Sequence, residues 1–389
     1  MRQALKRLAR GKQVTVDESA MTSINWSGIH EKRTISFATL PLALLSYLYS
    51  LGVKLRLAAY QIKKGRSLPG FVVSIGNLTA GGTGKTPAAC MLAEWARDEG
   101  YRVAVLSRGY GGRYKGKVLQ VSDGNHIKAG PFEAGDEPYL MAKNLQGIPV
   151  IISAKRYLAG LFAHKKFRTH FFVLDDGFQH LALKRDLDLV LIDAANPFGN
   201  RYLLPRGPLR EPVTQLKRAD AFIITRSAPD GLGDELIDDL KNRFPSKPIF
   251  KSDHLPERII VPSRRSVHNV DLINGKGIMG FAGIARPDVF IKMLTELGAE
   301  LVFFKAFRDH HPYRRREIQE LMTERRRLKA DYLLTTEKDW VRMEGFVPSY
   351  PDLGYLTIKF SLLDDRERFF RMVKEKVEQS GKAEFGRRN

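Results

Sequence analysis

Phe71-Val72-Val73-Ser74-Ile75-Gly76-Asn77-Leu78-Thr79-Ala80-Gly81-Gly82-Thr83-Gly84-Lys85-Thr86 joins an apolar run to a glycine-rich turn and a Lys-Thr pair. Phe71 to Ile75 predicts a buried strand. Thr86 to Gly100, with Leu92, Ala93 and Trp95, predicts a helix. A strand, a flexible glycine turn and a helix in that order make a P-loop, in which backbone N–H groups and the helix start face phosphate oxygens. Thr79, Ala80, Gly81, Gly82, Thr83, Gly84, Lys85 and Thr86 are therefore the expected nucleotide-binding residues, with Lys85 reaching the β and γ oxygens and Thr86 offering a hydroxyl to Mg²⁺. Thr79 departs from the strict pattern, which has glycine there.

Outward from this motif, short runs rich in Val, Ile and Phe alternate with longer helical stretches, as in a covered parallel sheet. Val103–Leu106, Val150–Ile152, Phe171–Leu174, Leu189–Ile192 and Phe222–Ile224 are the further expected strands of this half. A second set at Gly277–Phe281, Leu301–Phe304, Tyr332–Leu334 and Tyr355–Ile358, with a helix from Pro287 to Leu297, predicts another α/β layer. The expected class is thus α/β: a P-loop NTPase-like parallel sheet domain with an N-terminal membrane-associated helix, plus a second, smaller α/β domain. Boundaries are expected at residues 1–30 (a basic extension without order), 31–66 (the apolar helix and its basic flank), 67–250 (the P-loop domain) and 251–389 (the smaller domain). The stretch between Pro245 and Lys276 is read as a linker that can include an extended strand pair, and the tail from Lys382 as frayed.

Composition narrows the partners. A formal charge of +21 over 389 residues calls for an anionic one, such as nucleic acid, an acidic membrane surface or a phosphorylated substrate. The single cysteine, Cys90, excludes an intramolecular disulfide framework and a cysteine-cluster metal site, which suits a reducing, cytoplasmic setting. Ile35 to Val53 carries no charge and is flanked by Glu31-Lys32-Arg33 and by Lys54, Arg56, Lys63, Lys64 and Arg66. Such a segment fits a monotopic anchor on anionic lipid; a true span and an ordinary buried helix are the competing readings.

A P-loop needs an acidic partner at the end of a neighbouring strand, and Asp175-Asp176 after Phe171–Leu174 supplies it. That pair opens Asp175-Asp176-Gly177-Phe178-Gln179-His180. With Ser74 to Thr79, Ser107-Arg108-Gly109-Tyr110-Gly111-Gly112, Gly135-Asp136-Glu137-Pro138, Leu204 to Pro212 and Thr335-Thr336-Glu337-Lys338-Asp339, it closely resembles the tetraacyldisaccharide 4′-kinases of lipid A biosynthesis. The resemblance runs from about Ile35 to Phe370. Even Thr79 matches that family.

The resemblance implies transfer of the γ-phosphoryl of ATP, with Mg²⁺, to the 4′-hydroxyl of a tetraacylated glucosamine disaccharide 1-phosphate at the cytoplasmic face of the inner membrane. It also implies an N-terminal helix, monotopic or spanning, as the membrane contact. Position by position, it makes Lys85 and Thr86 ligands of the nucleotide and metal, and assigns Asp176 to the metal with Asp175 beside it. Asp136 becomes the general base, assisted by a histidine of Phe307-Arg308-Asp309-His310-His311-Pro312. His310 is preferred over His311 because it follows the motif aspartate; Arg308 stands where the family usually has proline. Arg210 is expected on the phosphoryl group and Glu211 on the metal. Glu337-Lys338-Asp339 either orients nucleotide or caps a helix, and the arginines at 314–316 and 325–327 read as a solvated helix face. A nucleic-acid-associated P-loop ATPase is the competing class; the apolar segment beside the P-loop and the lack of a helicase motif set argue against it, and no nucleic-acid partner is expected.

Overall fold

The computed structural model describes residues 15–20, 26–31, 34, 39–63, 65–227, 231–345, 350–363 and 365–382; expectations for 1–14, 21–25, 35–38 and 383–389 lie outside the described residues. In chain order the elements are β1 (Thr15–Ala20), α1 (Trp26–Glu31), α2 (Leu40–Ile62), β2 (Phe71–Gly76), α3 (Lys85–Asp98), β3 (Val103–Ser107), β4 (Leu119–Ser122), α4 (Pro131–Ala134), α5 (Asp136–Asn144), β5 (Val150–Ile152), α6 (Arg156–Phe167), β6 (Phe171–Asp175) and β7 (Leu187–Asp193). They continue with β8 (Ala221–Thr225), α7 (Asp234–Arg243), β9 (Ile249–Val261), β10 (Ser266–His268), β11 (Gly277–Ala282), α8 (Pro287–Glu296), β12 (Glu300–Phe307), α9 (Arg315–Arg327), β13 (Tyr332–Thr336), α10 (Glu337–Met343), β14 (Leu353–Leu362) and α11 (Arg366–Gln379). The chain divides into two compact units, Ile29–His254 with Phe360–Asn389, and Met1–Gly28 with Leu255–Lys359.

In the larger unit the strands run β4-β5-β3-β6-β2-β7-β8-β9, parallel except for β4 against β5. The strands β2, β3, β5, β6, β7 and β8 are buried on both faces, and alternation sorts their side chains into two cores. Val73, Ile75, Val105 and Val173 join Ala88, Ala89, Leu92 and Ala93 of α3 on one side. Val72, Ala104, Leu106, Phe172 and Leu174 join Ala159 and Ala163 of α6 on the other. The small residues of α3 and α6 let each helix lie close on the sheet. In the smaller unit β1, β12, β11, β13 and β14 form a parallel run, with β10 pairing antiparallel to β9 inside the expected linker region. Its two cores hold Phe290, Ile291 and Leu294 of α8, and Ile318, Leu321 and Met322 of α9. Arg316 pairs with Glu320 and Arg327 with Glu324 on the exposed side of α9, the solvated face expected there, whereas Arg325 turns to Asp352 and the carbonyls of Ala330 and Asp331.

Three boundaries differ from the reading of the sequence. Within the extension expected to lack order, Thr15–Ala20 pairs in parallel with β12, and Asp17 meets Lys305 at 3.4 Å. The segment is too short and too polar to show a hydrophobic period of its own; a pre-existing sheet edge orders it. The final residues leave the smaller unit: β14 carries the chain back, and α11 seats Phe369, Phe370, Val373 and Val377 in the P-loop core, with Phe370 stacked on Trp95 at 4.8 Å. The partner of that helix's apolar face is fixed by packing and is not a property of the segment alone. The apolar helix begins at Leu40 and continues past Val53 through Lys54 and Arg56 to Ile62.

Phe369→Ala should destabilise the chain by about 3–5 kcal/mol, since it empties a fully enclosed site. Urea denaturation checks this; an unchanged midpoint would remove α11 from the P-loop core.

Candidate active site

The register of the sheet assembles the site. Ile75 of β2 lies opposite Asp175 of β6, and Leu106 of β3 opposite Leu174. The P-loop, the acidic pair and the Ser107–Gly112 loop therefore leave neighbouring parallel strands at the same end, where open α/β sheets bind ligands. Gly84 closes the loop at φ +80°, and α3 starts at Lys85 with its first N–H groups facing the loop. No side chain fits at Gly84: a Cβ there would stand 2.0 Å from Nε2 of His254, a residue of β9 whose ring backs the turn. Thr79 needs no glycine, because it forms a β-bridge with Leu209, while Ala80 N–H donates to Pro208 O at 2.7 Å and Arg210 N–H to Leu78 O at 2.8 Å.

The Asp175-to-His180 motif folds back onto the base of the P-loop. Gly177 N–H donates to Ile75 O (3.0 Å), and a Cβ on Gly177 would come within 2.8 Å of Ser74 Oγ. Phe178 is fully buried under the guanidinium of Arg218, and Gln179 donates to Asn77 O at 2.8 Å. Asp176 consequently sits at φ +51°, a left-handed conformation that an aspartate tolerates at a cost and that recurs at functional sites.

Of the predicted residues, the structure brings Lys85, Asp176 and Arg210 together. Lys85 Nζ is 3.7 Å from Asp176 Oδ1 and donates to Asn77 Oδ1 at 3.1 Å. Arg210 binds both oxygens of Asp176, at 2.9 and 2.8 Å. Burial works to raise the pKa of Asp176, but Lys85 and Arg210 outweigh it and hold the carboxyl below its ordinary value. Asp175, one position back on the strand, is 2% exposed and accepts from Ser107 Oγ at 3.3 Å. Burial, reinforced by the charges of Glu137 and Asp176, pushes its pKa up to about 7. The two adjacent carboxyls are thus driven apart, one held ionised and one poised to carry a proton.

Asp136 opens α5 directly after Gly135, whose φ is +89° and which packs on the Tyr110 carbonyl. Glu211 is buried and paired with Arg218, not turned to the loop. His310 and His311 belong to the smaller unit. There His311 stacks on Phe307 at 4.6 Å and pairs with Glu317 at 3.0 Å, whereas His310 is half-exposed at φ +58°.

Several site residues escaped sequence reasoning. Arg156 is 5% exposed, and its charge is felt by Asp175 and Asp176; burial, then Arg108, lowers its pKa to about 10. Burial followed by Arg156 lowers that of His180 to about 4, so it is neutral near pH 7. Asn77, Glu137 and His254 complete the surroundings, and no local motif announces Arg156 or His254.

The donor set fits a Mg²⁺–nucleotide pair. Asp175 Oδ1 and Thr83 Oγ1 are buried without a partner. All the donors are hard oxygens, and among the described residues no group of three or more His, Cys, Asp or Glu forms a metal cage. A Mg²⁺ held by one or two carboxylates and by phosphates needs no such cage.

The helix α2 touches the same place. Ser46 Oγ donates to Leu203 O at 2.8 Å and accepts from Arg206 N–H at 2.9 Å; Tyr49 donates to Arg210 O at 3.1 Å, and Arg56 to Gln179 O. The rest of the helix stands open: Leu44, Leu45, Tyr47, Leu48, Leu51 and Leu55 are exposed, and only 11% of its apolar window is buried.

Because the folded pKa of Asp175 lies above its unfolded value, the folded chain binds the extra proton between about pH 4 and pH 7. Its burial therefore costs stability increasingly as the pH rises through that window. Asp175→Asn should raise the melting temperature of the nucleotide-free protein above about pH 7 and change it little below about pH 4. Equal shifts at both ends would show that the carboxyl is ionised without penalty.

A sequence profile of the family described as Tetraacyldisaccharide-1-P 4'-kinase matches residues 38–378. A tetraacyldisaccharide 4'-kinase of Syntrophus aciditrophicus (strain SB) is 42% identical over 328 residues, covering 82% of this chain and 88% of that protein. Its counterpart in Geobacter metallireducens is 41% identical over 333 residues, covering 84% and 94%. A crystal structure of LpxK from Aquifex aeolicus in complex with ATP matches with a TM-score of 0.69 and 33% identity, over 87% of this chain and 98% of that one. Similarity of this extent, in sequence and in fold, reaches through both units, and the chain belongs to the tetraacyldisaccharide-1-P 4'-kinase family.

Proposed function

We propose that this chain transfers the γ-phosphoryl of ATP to the 4′-hydroxyl of a tetraacylated glucosamine disaccharide 1-phosphate, giving lipid IVA in lipid A biosynthesis. The observation that carries the reading is a P-loop and its acid pair fastened to an exposed apolar helix: Tyr49 bonds the carbonyl of Arg210, whose guanidinium grips Asp176. A soluble acceptor gives no reason for that union. An acylated acceptor does.

Residues Thr79 to Thr86 cradle the phosphates, with Lys85 on the β and γ oxygens. Thr86 and Asp176 would hold Mg²⁺, which when bound neutralises charge between the phosphates. Asp175, beside Asp176, tunes that site through its own proton. Arg210, whose guanidinium lies beside Asp176, the partner of Lys85, is the second cation for the transferred group. Glu211, engaged by Arg218, fixes the loop that carries Arg210. Asp136 accepts the proton of the 4′-hydroxyl as its oxygen attacks phosphorus and ADP departs, and a histidine is assigned to assist it. His311 is engaged with Phe307 and Glu317, and His310, which follows the motif aspartate, is the histidine we assign to that role.

The helix α2 lies against the cytoplasmic face of the inner membrane, as a monotopic or single membrane helix. Its open leucines enter the lipid, and exposed Lys54, Arg56 and Lys63 meet anionic head groups. The lipid A precursor reaches the site from that surface, and nucleic acid has no part in the activity.

Asp136→Ala should abolish transfer to the tetraacylated acceptor, by at least about a hundredfold in kcat, while ATP affinity stays near wild type. Labelled ATP with the acceptor in detergent, and product identification by mass, measure the first; calorimetry measures the second. Full turnover excludes Asp136 as the base. Replacing Leu44, Leu48, Leu51 and Leu55 together by serine should shift the protein out of the lipid fraction in vesicle flotation. Unchanged partition would sink the role of α2.

A further inference from the structure

Thr335-Thr336-Glu337-Lys338-Asp339 is not accounted for by the nucleotide site. Asp339 is fully buried at the start of α10, where its N–H donates to Thr336 Oγ1 at 3.1 Å. Its carboxylate accepts from Gly283 N–H (3.1 Å), Tyr313 OH (3.0 Å), Thr336 Oγ1 (2.6 Å) and Arg342 (2.8 Å). A helix cap needs one such bond; four convergent donors on a buried carboxylate form a fixed anchor. Burial, together with Asp339, keeps the Tyr313 hydroxyl protonated by raising its pKa well above the usual value, so it stays a donor.

What the anchor holds is Arg342, itself only 5% exposed along its side chain. One end of its guanidinium donates to Asp339 and to Gly283 O (2.8 Å); the other reaches His310 Nδ1 at 3.4 Å. Gly283 O also accepts from the backbone N–H of His310 at 3.1 Å. Backbone and ring of His310 are thereby tied to the same two residues. The tie leaves little slack: a Cβ on Gly283 would meet Tyr313 OH at 3.0 Å and Arg308 O at 3.1 Å.

A guanidinium has only donors, so a bond from Arg342 requires the lone pair of Nδ1. We propose that Arg342, locked by Asp339, is a positioning residue that fixes the proton of neutral His310 on Nε2. The inference rests on the role given to His310 above and sharpens it. With Nδ1 occupied, the ring carries its hydrogen on Nε2, the nitrogen that stands 3.9 Å from Asp309 Oδ1, and cannot take a proton there. His310 then serves the reaction as a hydrogen-bond donor and not as its base.

The test is the tautomer of His310 in the full-length protein labelled with ¹⁵N-histidine, read from two-bond proton–nitrogen correlations of the ring and assigned by the signals lost in His310→Gln. The expected wild-type result is the Nε2–H form, retained in Arg342→Lys and shifted toward Nδ1–H in Arg342→Met. In the transfer assay, Arg342→Met should lower kcat at least about tenfold with the KM for ATP unchanged, and Arg342→Lys should recover most of the loss. An Nδ1–H ring in the wild type overturns the inference without any variant having to fold. An unaltered tautomer in Arg342→Met overturns it too. Full activity of His310→Gln would instead remove the catalytic part given to His310, leaving the tautomer measurement to judge Arg342 alone.

Discussion

Pairing Ile75 with Asp175 across β2 and β6 makes the rest of the larger unit necessary. With that register the phosphate loop and the carboxylates emerge side by side, and the chain after Asp176 must turn at once to avoid the P-loop. Gly177 and the buried Phe178 make the turn, Gln179 ties it to Asn77, and Asp176 is left in a left-handed backbone conformation. A one-residue slip would send Asp175 to the opposite face of the sheet and separate Lys85 from its acid partner.

The same register explains why two adjacent aspartates differ. Asp175 ends a strand buried on both faces, so water cannot solvate its charge, and Ser107 offers one bond where a carboxylate accepts several. Asp176 has left the strand and meets Lys85 and Arg210. Strand position thus separates the pair into one carboxyl driven toward protonation and one held ionised. The cost of desolvating Asp175 is of the kind that structural cores avoid and active sites retain.

The parallel strands were legible because full burial leaves uninterrupted Val, Ile and Phe runs, and the P-loop because its chemistry needs glycines and Lys-Thr in sequence. Asp176 and Arg210 could be named from their motifs, since each lies in a contiguous signature. Arg156, His254 and Arg342 could not. Arg156 and His254, and the reach of Arg342 to Gly283 and His310, depend on packing that brings distant segments together, and arginine and histidine are common on surfaces, so composition gives them no contrast. The motif ending in Asp339 was visible, but its work was not, because its partners Gly283 and Tyr313 lie on other elements. For β1 the deciding partner was a sheet edge, and for α11 a groove beside Trp95; neither is a property of the segment itself.

Net charge also reads differently once the side chains are located. Part of the arginine excess is internal: Arg206 is wholly buried and spends its guanidinium on the carbonyls of Ile29 and Thr34, and Arg218 and Arg342 neutralise buried carboxylates. Such groups stabilise loops and give little field outside. The cations that matter for an anionic partner are those left in water, and Lys54 and Arg56 stand on the helix whose leucines are open. Apolar side chains and exposed cations on one element suit a lipid surface, where each covers what the other cannot. Arg56 also bonds the carbonyl of Gln179, in the loop that shapes the acid pair, so the surface that would meet lipid and the loop that sets the carboxylates share a side chain.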